Sequence, residues 1–374
     1  MKTSLSYWEQ ATWYSDHDYC IIGGGIVGMT TAIALRKLAP EAKICIIDRG
    51  HLPTGGSTKN AGFMCFGSVG ELAANIRQYG IESTLSTVKL RLEGLNLLRS
   101  LTGDHAIDYR PCGGYEITTS SAETEGLISH IPYLNTLLDD HFGLKETYSV
   151  QQHQVGQQTH RLIYNQYEGS IHTGKLITTL LRLCHQAEIL MLPSTQVISY
   201  HNDSGLITIE TDTHPVTVTC RSLLLCTNAF TPTLADVSIT PQRNQVIVTT
   251  PVEHNLLESC YHYHQGYVYF RPLGDQILIG GGRHLFAKSE QTDDFGNTHE
   301  VTQYLLDWVR THLLSHQQVD IAHQWSGILG TGDPLLPLIH EVEPNVYVAA
   351  KMNGMGVAIG AKVGQLLAEM TVKG

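Results

Sequence analysis

Asp18-Tyr19-Cys20-Ile21-Ile22-Gly23-Gly24-Gly25-Ile26-Val27-Gly28 is the stretch whose reading decides the fold. A short apolar run enters the spacing G-x-G-x-x-G, and Met29 to Leu38 then reads as a helix. Lys43-Ile44-Cys45-Ile46-Ile47-Asp48 is a second apolar run that ends in an acid, twenty positions after Gly28. Strand, glycine turn, helix, strand and carboxylate in this order make the unit that binds an adenine dinucleotide. Gly23 permits the tight turn, Gly25 leaves space for a pyrophosphate against the backbone, and Gly28 lets helix and strand pack closely. The helix that opens at Ile26 and Val27 offers free N–H groups and a partial positive charge to the phosphates. Asp48 is placed to accept hydrogen bonds from ribose hydroxyls. Arg49 beside it can favour a 2′-phosphate, which Asp48 argues against. The motif alone does not separate FAD from NAD.

Outward from this unit, 374 residues are enough for about two domains. A hydrophobic content of 42% with 16% charged residues suits a globular chain with a sizeable core. The net charge of −11, without any Lys/Arg block, gives no support for nucleic-acid binding. The start has no basic segment leading into a long apolar run, and no stretch is long and apolar enough to span a bilayer. A cytoplasmic protein is expected. The eight cysteines are scattered without C-x-x-C, and Cys20, Cys45 and Cys226 sit in apolar strands, the pattern of reduced thiols. His262 and His264 form the tightest histidine pair but lack a Cys or acid at ligand spacing. They are read as surface residues, and no metal is expected.

Farther along, Val69 to Leu101 has helical spacing, and Ser222-Leu223-Leu224-Leu225-Cys226 reads as a buried parallel strand. Tyr267-Val268-Tyr269-Phe270-Arg271 and Gln276 to Ile279 read as a hairpin. Asn345 to Ala350 is a strand that runs through Asn353-Gly354-Met355-Gly356 into a last helix from Val357 to Met370. Strand–glycine turn–helix junctions at both ends of the chain imply one nucleotide domain assembled from distant segments. The expected division is 1–75, 165–235 and 320–374 for that domain, and 76–164 and 236–319 for a second, sheet-rich substrate domain.

On these residues the chain resembles the D-amino-acid oxidase (DAO) superfamily of FAD-dependent oxidoreductases, which includes glycine and sarcosine oxidases. The N-terminal glycines and Asp48 match its FAD fingerprint. Gly56-Ser57-Thr58-Lys59-Asn60-Ala61-Gly62 resembles its second flavin-contact loop. Glu168-Gly169-Ser170-Ile171-His172 is similar to the segment opening the middle FAD helix, with Thr173 in place of the usual Pro. Thr195 to Val197 resembles the adenine-contact strand, and Cys226-Thr227-Asn228-Ala229 resembles the family's A-T-N-G/A turn. Trp325-Ser326-Gly327, Asp333 to Pro337 and Gly354-Met355-Gly356-Val357 resemble the C-terminal FAD module. The resemblance implies an α/β fold. It is an FAD-binding Rossmann-like domain of glutathione-reductase type, with an inserted α+β substrate domain built on a mixed or antiparallel sheet.

The resemblance also implies the cofactor contacts: Gly23, Gly25, Ile26, Val27, Gly28, Asp48 and Arg49, then Ser57, Thr58, Asn60 and Ala61, then Val197, Thr227 and Asn228, and finally Gly354, Met355, Gly356 and Val357. No residue matches a covalent flavin attachment, so non-covalent FAD is expected. In an extended strand Tyr267, Tyr269 and Arg271 share one face. Arg271 is the leading substrate-binding candidate, because guanidinium grips a carboxylate through two parallel hydrogen bonds. Tyr269 joins it as a catalytic-wall candidate, and Arg283 and Tyr115 are weaker ones. Lys351, where the family usually has Gly, is a further catalytic candidate. The implied reaction oxidises a C–N bond of a small amine or amino acid by hydride transfer to flavin N5, with oxygen or another acceptor taking the electrons. A 2-hydroxy-acid dehydrogenase or a non-catalytic flavin-binding module are the alternatives.

Overall fold

The computed structural model describes residues 5–118, 120–155, 158–203, 205–212, 217–253, 257–314 and 317–373. The chain begins its fold with β1 (His17–Ile22), α1 (Ile26–Leu38) and β2 (Ile44–Ile47). Helices α2 (Val69–Tyr79) and α3 (Ile81–Thr102) precede β3 (Gly114–Ile117). An antiparallel pair, Tyr148–Val155 with Gln158–Asn165, leads to α4 (Thr173–Gln186) and β4 (Thr217–Leu225). Then come β5 (Thr240–Thr249), β6 (Cys260–Tyr263), β7 (Val268–Leu273), β8 (Gln276–Gly281), α5 (His299–His312) and β9 (Ile321–Thr331). The chain closes with β10 (Val346–Ala350) and α6 (Gly356–Lys373). Among the described residues no helix is long and apolar enough to cross a membrane.

The first sheet runs β10–β4–β1–β2, all parallel, and continues to a short strand at Leu190–Leu192. Cys20, Ile21, Ile44 to Ile47 and Leu223 to Leu225 are buried, as central parallel strands covered on both faces require. The layer on one face is helical. Met29 and Leu35 of α1, Leu98 of α3, Leu176 and Leu180 of α4, and Val363 and Leu367 of α6 meet in one core cluster.

The second sheet runs β9–β5–β8–β7–β6–β3 and on to Gln158–Asn165. Every pairing along this path is antiparallel except β6 with β3. Its two faces have opposite characters, and the register shows why. Tyr115, Tyr261, Phe270 and Ile279 stand opposite one another on one face, packed with Leu305 and Trp308 of α5. One position along, Glu116 pairs with His262 and His262 with Tyr269, so the other face is polar. That face turns toward the first sheet.

Three expectations are corrected. The helical stretch from Val69 is two helices, because Gly80 breaks it with φ at 82°. Residues 81–102 do not belong with the second sheet: the apolar stripe Val88, Leu95 and Leu98 shares the helical core beside α6. Residues 321–331, expected in the nucleotide domain, extend the second sheet, because β9 pairs with β5 along its length.

Helices α1 and α6 lie close. A Cβ on Gly364 would come 2.3 Å from Thr30 Oγ1 and 2.8 Å from the Thr31 nitrogen. Thr30 Oγ1 also donates to the Gly360 carbonyl at 3.3 Å. Gly364→Leu is therefore expected to cost about 3 kcal/mol through overpacking. A fallen urea midpoint at unchanged m would show it; an unchanged midpoint would mean the helices do not touch there.

Candidate active site

The turn after β1 is held by its own acid. Asp48 accepts the Gly24 N–H on Oδ2 at 2.7 Å and the Gly50 N–H on Oδ1 at 2.8 Å. The Ser57 hydroxyl accepts the Ile26 N–H at 2.9 Å, which fastens the second loop to the start of α1. Asn60 holds that loop closed: its Nδ2 donates to the Ser57 carbonyl, and its Oδ1 accepts from Gly62 N–H and Thr173 Oγ1. Asn228 Oδ1 accepts the Met352 N–H at 3.2 Å, joining the turn after β4 to the end of β10. Four segments far apart in sequence thus meet at the carboxyl edge of the first sheet.

A single cavity runs along them. Gly23, Gly25, Ile26, Val27, Asp48 and Arg49 line it at one end, with Val197, Thr227 and Asn228. Ser57, Asn60 and Ala61 continue the wall to Gly354, Met355, Gly356 and Val357. The polar face of the second sheet closes the far side with Asn244, His262, Tyr267, Tyr269 and Arg283. The N-termini of α1 and α6 both open into this space, and helix N-termini favour negative charge. An elongated groove with a glycine turn, an acid beside it and a second helix start suits an anionic dinucleotide with a flavin ring. The residues present fit FAD.

Residues 18–370 match the family model for FAD-dependent oxidoreductases of the DAO type. The chain belongs to the DAO family of FAD-dependent oxidoreductases. This DAO-family protein is 23% identical to the probable oxidoreductase OrdL of Rhizobium meliloti, over 95% of this chain and 83% of that one. It is 21% identical to the gamma-glutamylputrescine oxidoreductase of Escherichia coli, over 94% and 83%. Among solved structures it resembles glycine oxidase from Geobacillus kaustophilus, with a TM-score of 0.75 at 18% identity over 96% and 95% of the two chains.

Two of the expected cofactor contacts in this DAO protein do not line the cavity. Gly28 faces backward, where a Cβ would lie 1.9 Å from the Gly23 carbonyl oxygen, so its work is helix–strand packing. Thr58 turns its hydroxyl to the Pro53 carbonyl at 2.6 Å. Arg49 lines the cavity but stacks on aromatic rings, 3.9 Å from the Phe230 centroid and 5.5 Å from that of Phe295.

Among the substrate candidates the correction is larger. Arg271 shares the inward face with Tyr269, yet its Nε donates to the Ala61 carbonyl at 2.7 Å and its Nη2 to that of Ile171 at 3.2 Å. It ties β7 to the first domain's loops and does not line the cavity. Lys351 is buried, and its Nζ donates to the Asp333 and Pro334 carbonyls at 3.1 and 2.8 Å. Burial lowers its pKa, and it braces that loop without itself lining the cavity. Tyr115 belongs to the apolar face, stacked on His153 at 3.9 Å.

Arg283, the weaker candidate, lines the cavity where Arg271 does not. Its Nη1 donates to Asn244 Oδ1 at 3.3 Å, and its guanidinium carbon sits 5.2 Å from the Tyr267 ring centroid. Asn244 Nδ2 donates to the Tyr269 oxygen at 2.5 Å, which leaves the Tyr269 O–H proton free to donate onward. Burial raises the Tyr269 pKa, so it stays a phenol. No carboxylate among the described residues pairs with Arg283. Two buried arginines elsewhere do have such partners: Arg243 meets Glu290 at 2.9 Å, and Arg91 meets Glu71 at 2.7 Å. His262, expected at the surface, is buried on the cavity wall with its Nε2 2.7 Å from Glu168 Oε2. Asn244 was the one missed residue with a visible signal, a polar side chain leading into the apolar run Val246–Val248.

Arg271→Met and Lys351→Met are each expected to cost about 2 kcal/mol, the worth of charged donors to buried carbonyls. Lower urea midpoints with FAD content retained would support this bracing role. Midpoints unchanged from the parent protein would contradict it.

Proposed function

We propose that this protein oxidises the C–N bond of a small amine or amino acid that carries a carboxylate, with hydride passing to flavin N5 of a non-covalently held FAD. The observation that carries the substrate reading is Arg283, a guanidinium in the cavity wall without a carboxylate partner among the described residues. A cation taken from water without a counter-charge is costly, and a ligand anion offsets that cost. Arg283 would receive the substrate carboxylate through two parallel hydrogen bonds, and the Tyr269 O–H would add a third donor beside it.

Gly23 to Val27 and Asp48 would hold the pyrophosphate and ribose end of FAD, and Gly354 to Val357 the flavin end. When bound, FAD supplies the hydride acceptor. The chain's own share is position and electrostatics. Arg283 and Tyr269 fix one end of the substrate, Phe63 and the second sheet exclude water, and the reacting C–H is aimed by that grip. The names of the similar proteins, a gamma-glutamylputrescine oxidoreductase and a glycine oxidase, fit the same class.

The test is an absorption spectrum of the purified protein, followed by anaerobic mixing with amines, amino acids and 2-hydroxy acids. A yellow protein that releases FAD on acid precipitation and is bleached by a carboxylate-bearing amine, with ammonia or a primary amine as product, is the expected outcome. Arg283→Leu should raise KM for that substrate about 100-fold and leave its decarboxylated analogue nearly unchanged. Bleaching by 2-hydroxy acids alone would overturn the C–N assignment, and a colourless protein that refuses added FAD would overturn the cofactor placement.

A further inference from the structure

An amine near neutral pH is an ammonium ion, and its nitrogen has no lone pair to assist loss of hydride from the adjacent carbon. A proton has to leave before the C–N bond can be oxidised. The cavity wall holds a group suited to receive it. His262 stands between Glu116 and Tyr269 in the sheet register, on the same inward face. Its ring also meets Phe63 edge-on, with centroids 5.4 Å apart, and Phe63 meets Tyr269 at the same separation.

The carboxylate behind His262 occupies a built slot. Glu168 is buried, and its Oε1 accepts Asn165 Nδ2 at 3.2 Å. Gly114 makes the room, since a Cβ there would fall 2.0 Å from Glu168 Oε2. With Oε2 against His262 Nε2, the proton of the neutral ring is held on Nε2, and Nδ1 is left as an acceptor. Nδ1 has no hydrogen-bond partner among the described residues, and it lies on the side of Gly266, another cavity-lining residue.

We propose that His262 Nδ1 takes the proton from the substrate ammonium, with Glu168 as the positioning residue that fixes the ring's tautomer and steadies the imidazolium. This rests on the C–N reading above. One N–H bond of the ammonium breaks and an Nδ1–H bond forms. The electron pair stays on the substrate nitrogen as its lone pair, and no electrons change hands. The charged groups around the ring come from four elements: Glu168 ahead of α4, Glu116 on β3, Glu71 on α2, and Arg91 on α3 paired with Glu71. Burial disfavours the imidazolium, but Glu168, Glu116 and Glu71 together outweigh it, and the His262 pKa is raised. Proton acceptance therefore fails below that raised pKa and returns above it.

The experiment follows two readouts on 15N-histidine-labelled holoprotein. One is the NMR titration of His262. The other is the pH profile of anaerobic flavin bleaching by glycine, sarcosine, L-proline and L-alanine, using whichever reacts fastest. In the parent protein the acid limb of the profile should coincide with the His262 titration. Glu168→Gln removes the carboxylate charge and should move both to lower pH together, by about one unit or more. His262→Gln should slow bleaching at pH 7 by about 100-fold and leave a limb set by the amine's own pKa. A Glu168→Gln protein whose NMR titration moves while the limb stays put would overturn the assignment. So would a limb that tracks the amine's pKa in every variant. If none of the four amines bleaches the flavin, the C–N reading falls and this assignment with it; bleaching with an unmoved limb sinks the assignment alone.

Discussion

The close contact of α1 with α6 is the constraint on which the rest depends. Each helix begins at a glycine turn that ends a strand of the first sheet. Because the strands are parallel neighbours of β4, both turns emerge at the same edge of the sheet. Because the helices touch at Thr30 and Gly364, both N-termini arrive side by side. Two positive helix ends then face one space, which is where the crevice of an open parallel sheet receives its ligand. Residues from opposite ends of the chain become one site by packing, with no contact between the turns themselves required.

The second sheet is anchored to that site by cations and donors used structurally. Arg271 spends its guanidinium on the carbonyls of Ala61 and Ile171, and Trp325 Nε1 donates to the Lys59 carbonyl at 2.9 Å. These ties hold the polar face of the sheet over the cavity. The arginines split by partner. Arg91 and Arg243 are neutralised by buried or half-buried carboxylates, whereas Arg283 meets an amide oxygen and the Tyr267 ring. Arg283 therefore stands in the cavity wall without a carboxylate partner among the described residues.

The βαβ unit was legible because its signals are local: an apolar strand, a turn and an acid within about thirty residues. The last strand and helix were legible for the same reason. The alternation in Val268–Leu273 correctly placed Tyr269 and Arg271 together and Phe270 opposite. It was silent on what lay across the gap. The carbonyls that absorb Arg271 come from 210 and 100 residues away, and a strand's periodicity carries no information about them. Similarly, His262 is turned from a plausible surface residue into a buried one by Glu168, 94 positions earlier. The domain boundaries slipped where an amphipathic helix, α3, found its apolar partner in the other layer, a choice made by tertiary packing and not by sequence proximity.

The central claim is that the two glycine turns serve one FAD. Amide hydrogen exchange on apoprotein before and after adding FAD tests it most directly. The amides of Gly25 to Gly28 and of Gly356 to Val357 are expected to gain protection together, at the same FAD concentration. Protection confined to the N-terminal turn, with the C-terminal turn exchanging as before, would contradict it.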